Sequence, residues 1–580
     1  MKVAGTKRLV IVGGVAGGAS AAARARRLCE DCDITIFERG PHVSFATCGL
    51  PYFAGGEIAG QDRLLVQTPE SLRERFNLDV RVRAEVTAID RANRRVKVRE
   101  LDSGRACEQP YDALVLSPGA APLKPPIPGL DRPGHFPVRN IPDVEKIMAW
   151  IANASVRRAV VVGGGYVGLE MAEQLRRRGL AVTVVEALAQ VMTPLDPEMA
   201  AWLHAELRAN GVELYLGDAV SAFEAPTADE SARASAVVLK SGKRLPADLV
   251  VLGLGVRPEI GLAKSAGLEI SARGGIRVNE HLQTSDPNIW AVGDAIEVRD
   301  AVTGAWSLVP LAGPASRQGR IAADNILGRP SRYEGTWGTA ILRLFGLTAG
   351  CAGANEKCLR KAGIPHQAVH LHPNSHAGYY PGAEPMALKI LFAPGTGKLL
   401  GAQAVGREGV DKRLDVLATA LKAGLTVHDL AELELAYAPP FGSAKDPVNL
   451  AGMVAQNVLA GDVQIAQWHE IQPVPRPSDT RSTSERESAR AEGGFVLLDV
   501  RNPDERARGC IPGSIHIPLP QLRARCGELP RNREIVVYCR SGQRSYYACR
   551  ILMQRGFRAR NLAGSYRTWR MATNGGDLNL

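Results

Sequence analysis

The apolar residues of this chain fall into short blocks closed by glycine turns. Near the start, RLVIVGGVAGGASAAARARR, beginning at Arg8, sets an apolar run before a glycine cluster and an alanine-rich amphipathic stretch. The same order returns at Arg158 in RAVVVGGGYVGLEMAEQLRRRG. A short apolar run bounded by turn residues predicts a buried strand, and apolar positions at helical spacing predict a helix. Each block therefore predicts strand, tight turn and helix, an internal repeat of one supersecondary unit. DALVLSPGAAP (112–122) and ADLVVLGLGVRPE (247–259) each predict a strand closing on a turn, and NIWAVGDA (288–295) predicts a strand ending on Gly-Asp.

From about Trp337 to Gln456 strand-like pieces such as MALKILF mix with helical ones such as RLDVLATALKAG, which predicts a separate α+β domain. Residues 472–494 are rich in Pro, Ser, Arg and Glu and nearly free of large apolar residues, the composition of a flexible linker. Beyond it FVLLDVRNPDE, GCIPGSIHIPL and EIVVYCRSGQRS alternate strand and helix signals, predicting a small α/β domain with a parallel sheet.

Composition narrows the function classes. The chain has 580 residues, 45% hydrophobic and 23% charged, enough for several globular domains. No apolar run nears the roughly 20 residues that span a bilayer, and the N-terminus lacks a signal-peptide pattern. The expectation is a soluble, cytoplasmic protein. The net charge of +11 comes from scattered arginine, with no dense basic block and no aromatic platform, so nucleic acid is not an expected partner. Ten cysteines show no framework spacing and no paired metal motif, so no metal is expected. CEDC (Cys29, Cys32) has CxxC spacing but follows a helix instead of opening one, and is not read as a redox pair.

Glycines in a strand–turn–helix unit let backbone N–H groups and a helix N-terminus approach a pyrophosphate, and an acidic residue ending the next strand takes ribose hydroxyls. The second unit has Gly163, Gly165 and Gly168 in GxGxxG spacing, with Glu186 ending AVTVVE. The first has Gly13, Gly14, Gly17 and Gly18, with Glu38 ending DITIFE and Val15 at the middle glycine position. Two dinucleotide sites in one chain imply electron traffic, most simply from nicotinamide to flavin. Glu186 would repel a 2′-phosphate, favouring NADH over NADPH.

The order of these units, the VGD segment and the α+β domain resembles the pyridine nucleotide–disulfide oxidoreductases over about residues 7–460. The resemblance implies two Rossmann-like domains and a homodimer through the α+β domain. FAD would be bound by Gly13, Gly17, Glu38, Ser117, Gly119 and Asp294, with Gly14, Val15, Ala16 and Gly293 in the same turns. NAD(H) would be bound by Gly163, Gly165, Tyr166, Gly168 and Glu186. The domain bounds follow: FAD-binding 1–150 and 281–335, NAD(H)-binding 151–280, dimerisation 336–460, linker 461–485 and a last domain 486–580.

The loop HVSFATCGLPY holds one cysteine, Cys48, where disulfide-exchanging members carry two. It resembles the single-cysteine branch of coenzyme A disulfide reductases, NADH oxidases and peroxidases, and persulfide reductases. The resemblance implies that Cys48 takes electrons from the flavin. A lone thiolate can form a mixed disulfide, accept a sulfane sulfur or cycle through sulfenic acid. The oxidase and peroxidase branch has a histidine in the first glycine turn where this chain has Ala16. Ser20, Arg24 and Arg27 share one helical face and, with Ser44, match positions that bind coenzyme A, as substrate or held tightly. Thr47 replaces a common asparagine there. Tyr379 and Tyr437 resemble tyrosines that reach the partner subunit's site, where a phenol could protonate a leaving thiolate.

YCRSGQRS puts Cys539 at the end of a strand, with Arg544 closing a C-x4-R loop. Backbone N–H groups of such a loop form an anion nest that suits a thiolate or persulfide. With LLDVR and GCIPGSIHIP it resembles a rhodanese domain over about 486–575, although NLAGSY lacks the usual paired glycines. The expected activity is FAD-dependent, NADH-driven reduction of a small thiol substrate, CoA persulfide, polysulfide or CoA disulfide, through one redox cysteine, with a sulfur-carrying rhodanese domain. The alternatives are an NADH oxidase or peroxidase, and a sulfurtransferase whose flavin core only regenerates its thiol.

Overall fold

A computed structural model describes residues 7–153, 155–225, 235–471 and 494–574. The chain divides into two units, one of residues 1–189 and 212–336, the other of 190–211 and 337–580.

The first unit holds two parallel sheets of the same design. In the first, strand order is Ile289–Ala291, Ala113–Leu116, Arg8–Val12, Asp33–Phe37, Asp79–Arg81. In the second it is Glu213–Leu216, Ala181–Glu186, Arg158–Val162, Leu249–Leu252, His135–Pro137. The central strands are buried along nearly their whole length, as continuous apolar runs in a two-sided parallel sheet must be. Ile289–Ala291 pairs in parallel beside Ala113–Leu116, so the late NIWAVGDA segment returns to the first sheet. Helices Ala16–Leu28 and Ala312–Ile326 pack closely: a Cβ on Gly319 would lie 2.2 Å from the Gly17 carbonyl oxygen.

The second unit contains a five-stranded antiparallel sheet ordered Ala340–Leu344, Leu347–Gly353, Leu399–Gly406, Met386–Phe392, Gln367–Leu371. Met386–Phe392 and Leu399–Gly406 are buried at every position. It also contains the expected small parallel sheet, ordered Gln464–Ala466, Ala559–Leu562, Glu534–Tyr538, Phe495–Asp499, Ile515–His516. Its edge strand Gln464–Ala466 lies inside the stretch 461–485 assigned to a linker, because its backbone pairs with Ala559–Leu562. Residues 472–493 of the linker region lie outside the described residues.

Two features depart from the sequence reading. Residues 190–211 are interior to the NAD(H) domain in sequence but belong to the second unit, where helix Pro197–Ala209 is buried along most of its length. Cys29 and Cys32 are paired as a disulfide, with Cα atoms 5.6 Å apart. The tight turn between helix Ala16–Leu28 and strand Asp33–Phe37 brings them together.

Candidate functional site

Four parallel strands end on one edge of the first sheet. Arg8–Val12 runs into Gly13, Asp33–Phe37 into Glu38, Ala113–Leu116 into Ser117, and Ile289–Ala291 into the Gly293–Ala295 turn. The carboxyl edge of such a sheet, where strand order reverses, is its ligand crevice. Gly13 has φ +92°, and a Cβ there would lie 2.0 Å from the Ser117 carbonyl oxygen. Only glycine meets both conditions. The turn leaves Val15 as a cap without a side-chain bond, so the N-terminus of helix Ala16–Leu28 opens toward an anion. The Glu38 carboxylate accepts from the Gly14 N–H at 2.9 Å and the Gly40 N–H at 2.7 Å. A Cβ on Gly119 would meet nothing within 4 Å, leaving room beside the turn. Burial raises the Asp294 carboxyl pKa. These residues fit a flavin dinucleotide. Gly13→Ala is expected to lower the flavin content of the purified protein at least about tenfold, read from its visible absorbance.

The second cradle repeats this design. Gly163 has φ +109°, and a Cβ there would lie 2.1 Å from the Gly253 carbonyl oxygen. Gly165 caps helix Tyr166–Arg177 without a side-chain bond and has open space around it, and Tyr166 begins the helix. Glu186 accepts from the Gly164 N–H at 2.7 Å and the Leu188 N–H at 2.9 Å. A carboxylate so placed fits ribose hydroxyls and opposes a 2′-phosphate. Gly168 packs against the turn, its Cβ position 2.0 Å from the Gly163 carbonyl oxygen.

The thiol loop is fastened to the first cradle. Ser44, with φ 48°, donates its N–H to the Gly14 carbonyl at 2.8 Å and accepts from the N–H groups of Val66 and Gln67. Ala46 donates to Leu64 at 2.8 Å. These bonds hold the short turn Thr47–Gly49, so Cys48 is an exposed free thiol just before helix Leu50–Gly55. On helix Ala16–Leu28, Ser20 is half-buried and Arg27 exposed. Arg24 is engaged with Asp324 at 2.7 Å, both side chains largely buried. Arg27 is thus the more available cation on this face.

In the second unit the structure brings Tyr379 and Tyr437 together, their hydroxyls 3.0 Å apart. Both are exposed, at 77% and 48%, beside the exposed Phe441. The hydrogen bond with Tyr437 raises the Tyr379 pKa.

Cys539 directly follows strand Glu534–Tyr538 and is buried. The Gly542 N–H points at its Sγ at 3.1 Å, and the Ser545 hydroxyl lies 3.4 Å from it. Arg544 makes a two-armed ion pair with Glu505, 2.6 Å on each arm. That bond pulls the Glu505 carboxyl down to about 2. The pair's contribution to stability is complete above the usual carboxyl range and is lost as pH falls through about 2. Burial pushes up the pKa of Cys549, on the helix behind the loop, and leaves it a thiol. Sequence reasoning missed Gln318, Glu505, Ser545 and Ser565. Gln318 is buried and accepts from the Gly293 N–H at 2.7 Å, holding the turn that carries Asp294. Only for Ser565 did the sequence carry a signal, its place in NLAGSY where a second glycine is usual.

Comparisons with known proteins agree with this geometry. Residues 7–319 match the pyridine nucleotide-disulphide oxidoreductase family, 340–447 its dimerisation domain and 482–572 the rhodanese-like domain. The crystal structure of reduced Bacillus anthracis CoADR-RHD is 47% identical, with 98% of each chain covered and a TM-score of 0.92. An NAD-dependent persulfide reductase from A. fulgidus is 37% identical, covering 97% of this chain and 100% of that one, with a TM-score of 0.87. The coenzyme A disulfide reductase of Staphylococcus haemolyticus is 34% identical over 453 residues, 78% of this chain and 100% of the relative. The NADH oxidase of Methanocaldococcus jannaschii is 35% identical over 454 residues, 78% and 99%. Two glycine cradles, a thiol loop tied to one of them, and a second thiol in an anion nest thus have a common origin: this chain is an enzyme of the pyridine nucleotide-disulphide oxidoreductase family, with that family's dimerisation domain and a C-terminal rhodanese-like domain.

Proposed function

We propose that this enzyme uses NADH to reduce CoA persulfide, polysulfide or CoA disulfide, with Cys48 as its redox thiol and Cys539 as a carrier of sulfane sulfur. The observation that carries the reading is the bond from the Ser44 N–H to the Gly14 carbonyl, which ties the thiol loop to the flavin cradle. FAD, when bound, supplies the relay of two electrons from nicotinamide to sulfur.

The chain's own groups do the rest. The Cys48 thiolate attacks a disulfide R–S–S–R, its S–S bond breaks, and RS⁻ leaves as a Cys48–S–S–R adduct forms. With a persulfide R–S–SH the attack falls on the outer sulfur and the thiol RSH leaves. Two electrons then cleave the adduct, freeing the second thiol or sulfide and restoring the thiolate. Ser20, Ser44 and Arg27 offer hydrogen bonds and positive charge to a phosphate-bearing thiol such as coenzyme A. The exposed aromatic patch of Tyr379, Tyr437 and Phe441 fits a homodimer in which each subunit lends these tyrosines to the other's site. There Tyr379 donates its proton to the leaving thiolate. Tyr379→Phe is expected to lower kcat about ten- to hundredfold with little change in KM, and Tyr437→Phe to cost less. Steady-state kinetics with CoA disulfide reads both.

The relative that is an NADH oxidase favours a second reading, in which oxygen is the acceptor. Ala16 in the first glycine turn gives peroxide no acid–base partner there. The test is NADH consumption without oxygen across CoA disulfide, CoA persulfide, glutathione persulfide and polysulfide. Turnover confined to oxygen-containing buffer would sink the proposal and support the oxidase.

A further inference from the structure

We propose that Ser565 is a positioning residue for Cys539, a hydroxyl placed at a glycine-type backbone position to stabilise the sulfur as thiolate. This rests on the reading of Cys539 as the sulfur carrier. Ser565 begins helix Ser565–Asn574 with φ 53°, a left-handed conformation that favours glycine. Such a conformation in a fully buried, non-glycine residue marks a place where the side chain is worth its backbone strain.

The side chain lies directly behind the nucleophile. Its Oγ accepts the Cys539 N–H at 3.1 Å and lies 3.8 Å from Cys539 Sγ. It is also 3.1 Å from Ser545 Oγ and 3.3 Å from the Leu562 carbonyl oxygen. The N–H groups of Tyr566 and Arg567 donate to the carbonyls of Cys539 and Arg540, so the same helix start holds the loop's backbone. The Ser565 hydroxyl has one proton and three acceptors within reach. An ionised Sγ is the strongest of them, so the proton turns to sulfur when Cys539 is a thiolate. The step that follows is Cys539–S⁻ + R–S–SH → Cys539–S–SH + RS⁻, in which the donor's S–S bond breaks and a new one forms. Once the persulfide ionises, its charge sits on the outer sulfur, and the hydroxyl returns to the Leu562 carbonyl. Ser565 therefore favours the unloaded thiolate over the loaded form and eases release of the carried sulfur. The other groups facing this sulfur are the Gly542 N–H, Ser545, Arg544 with its partner Glu505, and the neutral Cys549.

The test uses the full chain. Ser565→Gly relieves the left-handed backbone but takes away the acceptor of the Cys539 N–H, two effects of opposite sign, so its thermal midpoint is expected to change little. Alkylation of Cys539 by iodoacetamide across pH, read on its peptide by mass spectrometry, is expected to shift to higher pH. At neutral pH it should be about tenfold slower. A purely structural serine would alter the midpoint of melting and leave this profile in place. Ser565→Ala, which lacks the hydroxyl but keeps the strain, should show the same profile shift and serves if the glycine variant misfolds. Profiles of both variants that superimpose on the parent's overturn the proposal. Cys539→Ser is assayed alongside for transfer of sulfur from thiosulfate. Transfer that survives it overturns the carrier reading itself, whatever the Ser565 variants show.

Discussion

Cys48→Ser is expected to abolish NADH-driven reduction of CoA disulfide and CoA persulfide, a loss of about a thousandfold or more, as for removal of a reacting nucleophile. Flavin binding should survive, because the Cys48 side chain is exposed and the loop is held by backbone bonds of Ser44 and Ala46. Purified Cys48→Ser should therefore remain yellow, and stopped-flow mixing with NADH should still bleach it. Bleaching followed by no disulfide turnover isolates the lost step as electron transfer to sulfur. Cys539→Ser should show the reverse pattern, with CoA disulfide reduction intact and sulfur transfer lost. If Cys539→Ser stops all turnover while Cys48→Ser spares it, the assignment of the redox thiol is wrong.

Lys389→Met is expected to give the largest loss of stability. Lys389 is fully buried in strand Met386–Phe392, with Nζ 2.8 Å from Asp196, 2.5 Å from Glu198 and 2.6 Å from Glu356. Burial alone would lower its pKa, but the three carboxylates outweigh it and raise it. Burial would likewise raise the Glu198 pKa, and Lys389 with His370 drives it well below the usual range. Gln403 donates to Asp196 at 2.7 Å and the Trp468 indole to Glu198 at 3.2 Å, so the cluster is bonded on several sides. Removing the one lysine leaves three buried carboxylates together, a change worth about 3–5 kcal/mol. The sign of the pH dependence follows. In the parent, the depressed Glu198 contributes stability above its ordinary value of 4.5, lost as pH falls through its folded value. In Lys389→Met the carboxyls must be raised by burial and mutual repulsion, so they favour folding at low pH and oppose it as pH rises. The melting deficit should thus widen from about pH 5 to pH 8. A deficit independent of pH would mean that lost packing, not unpaired charge, governs the cost.

Much of the site was legible because its signals are local. A glycine at positive φ, the strand before it, the helix after it and the acid ending the next strand all fall within a short reach of chain, as at Gly13 and Glu38. The same holds for Cys539 and its loop, where six consecutive residues build the nest. Arg24 shows the limit of helical-face reasoning. Ser20, Arg24 and Arg27 all lie in helix Ala16–Leu28, yet only the packing of helix Ala312–Ile326 supplied Asp324 as the partner of Arg24.

The sequence by itself determined the two glycine cradles, the loop that carries Cys48, the α+β domain and the rhodanese module, since each is built by residues close along the chain. Only the tertiary structure decided which distant residues share a charge or a hydrogen bond. It set Lys389 against Asp196 and Glu198, Tyr379 against Tyr437, and Ser565 behind Cys539, and it moved residues 190–211 out of the domain that surrounds them in sequence. The physical reason is that propensity and turn chemistry act over a few residues, whereas the partner of a buried polar group is chosen by the closure of the whole core.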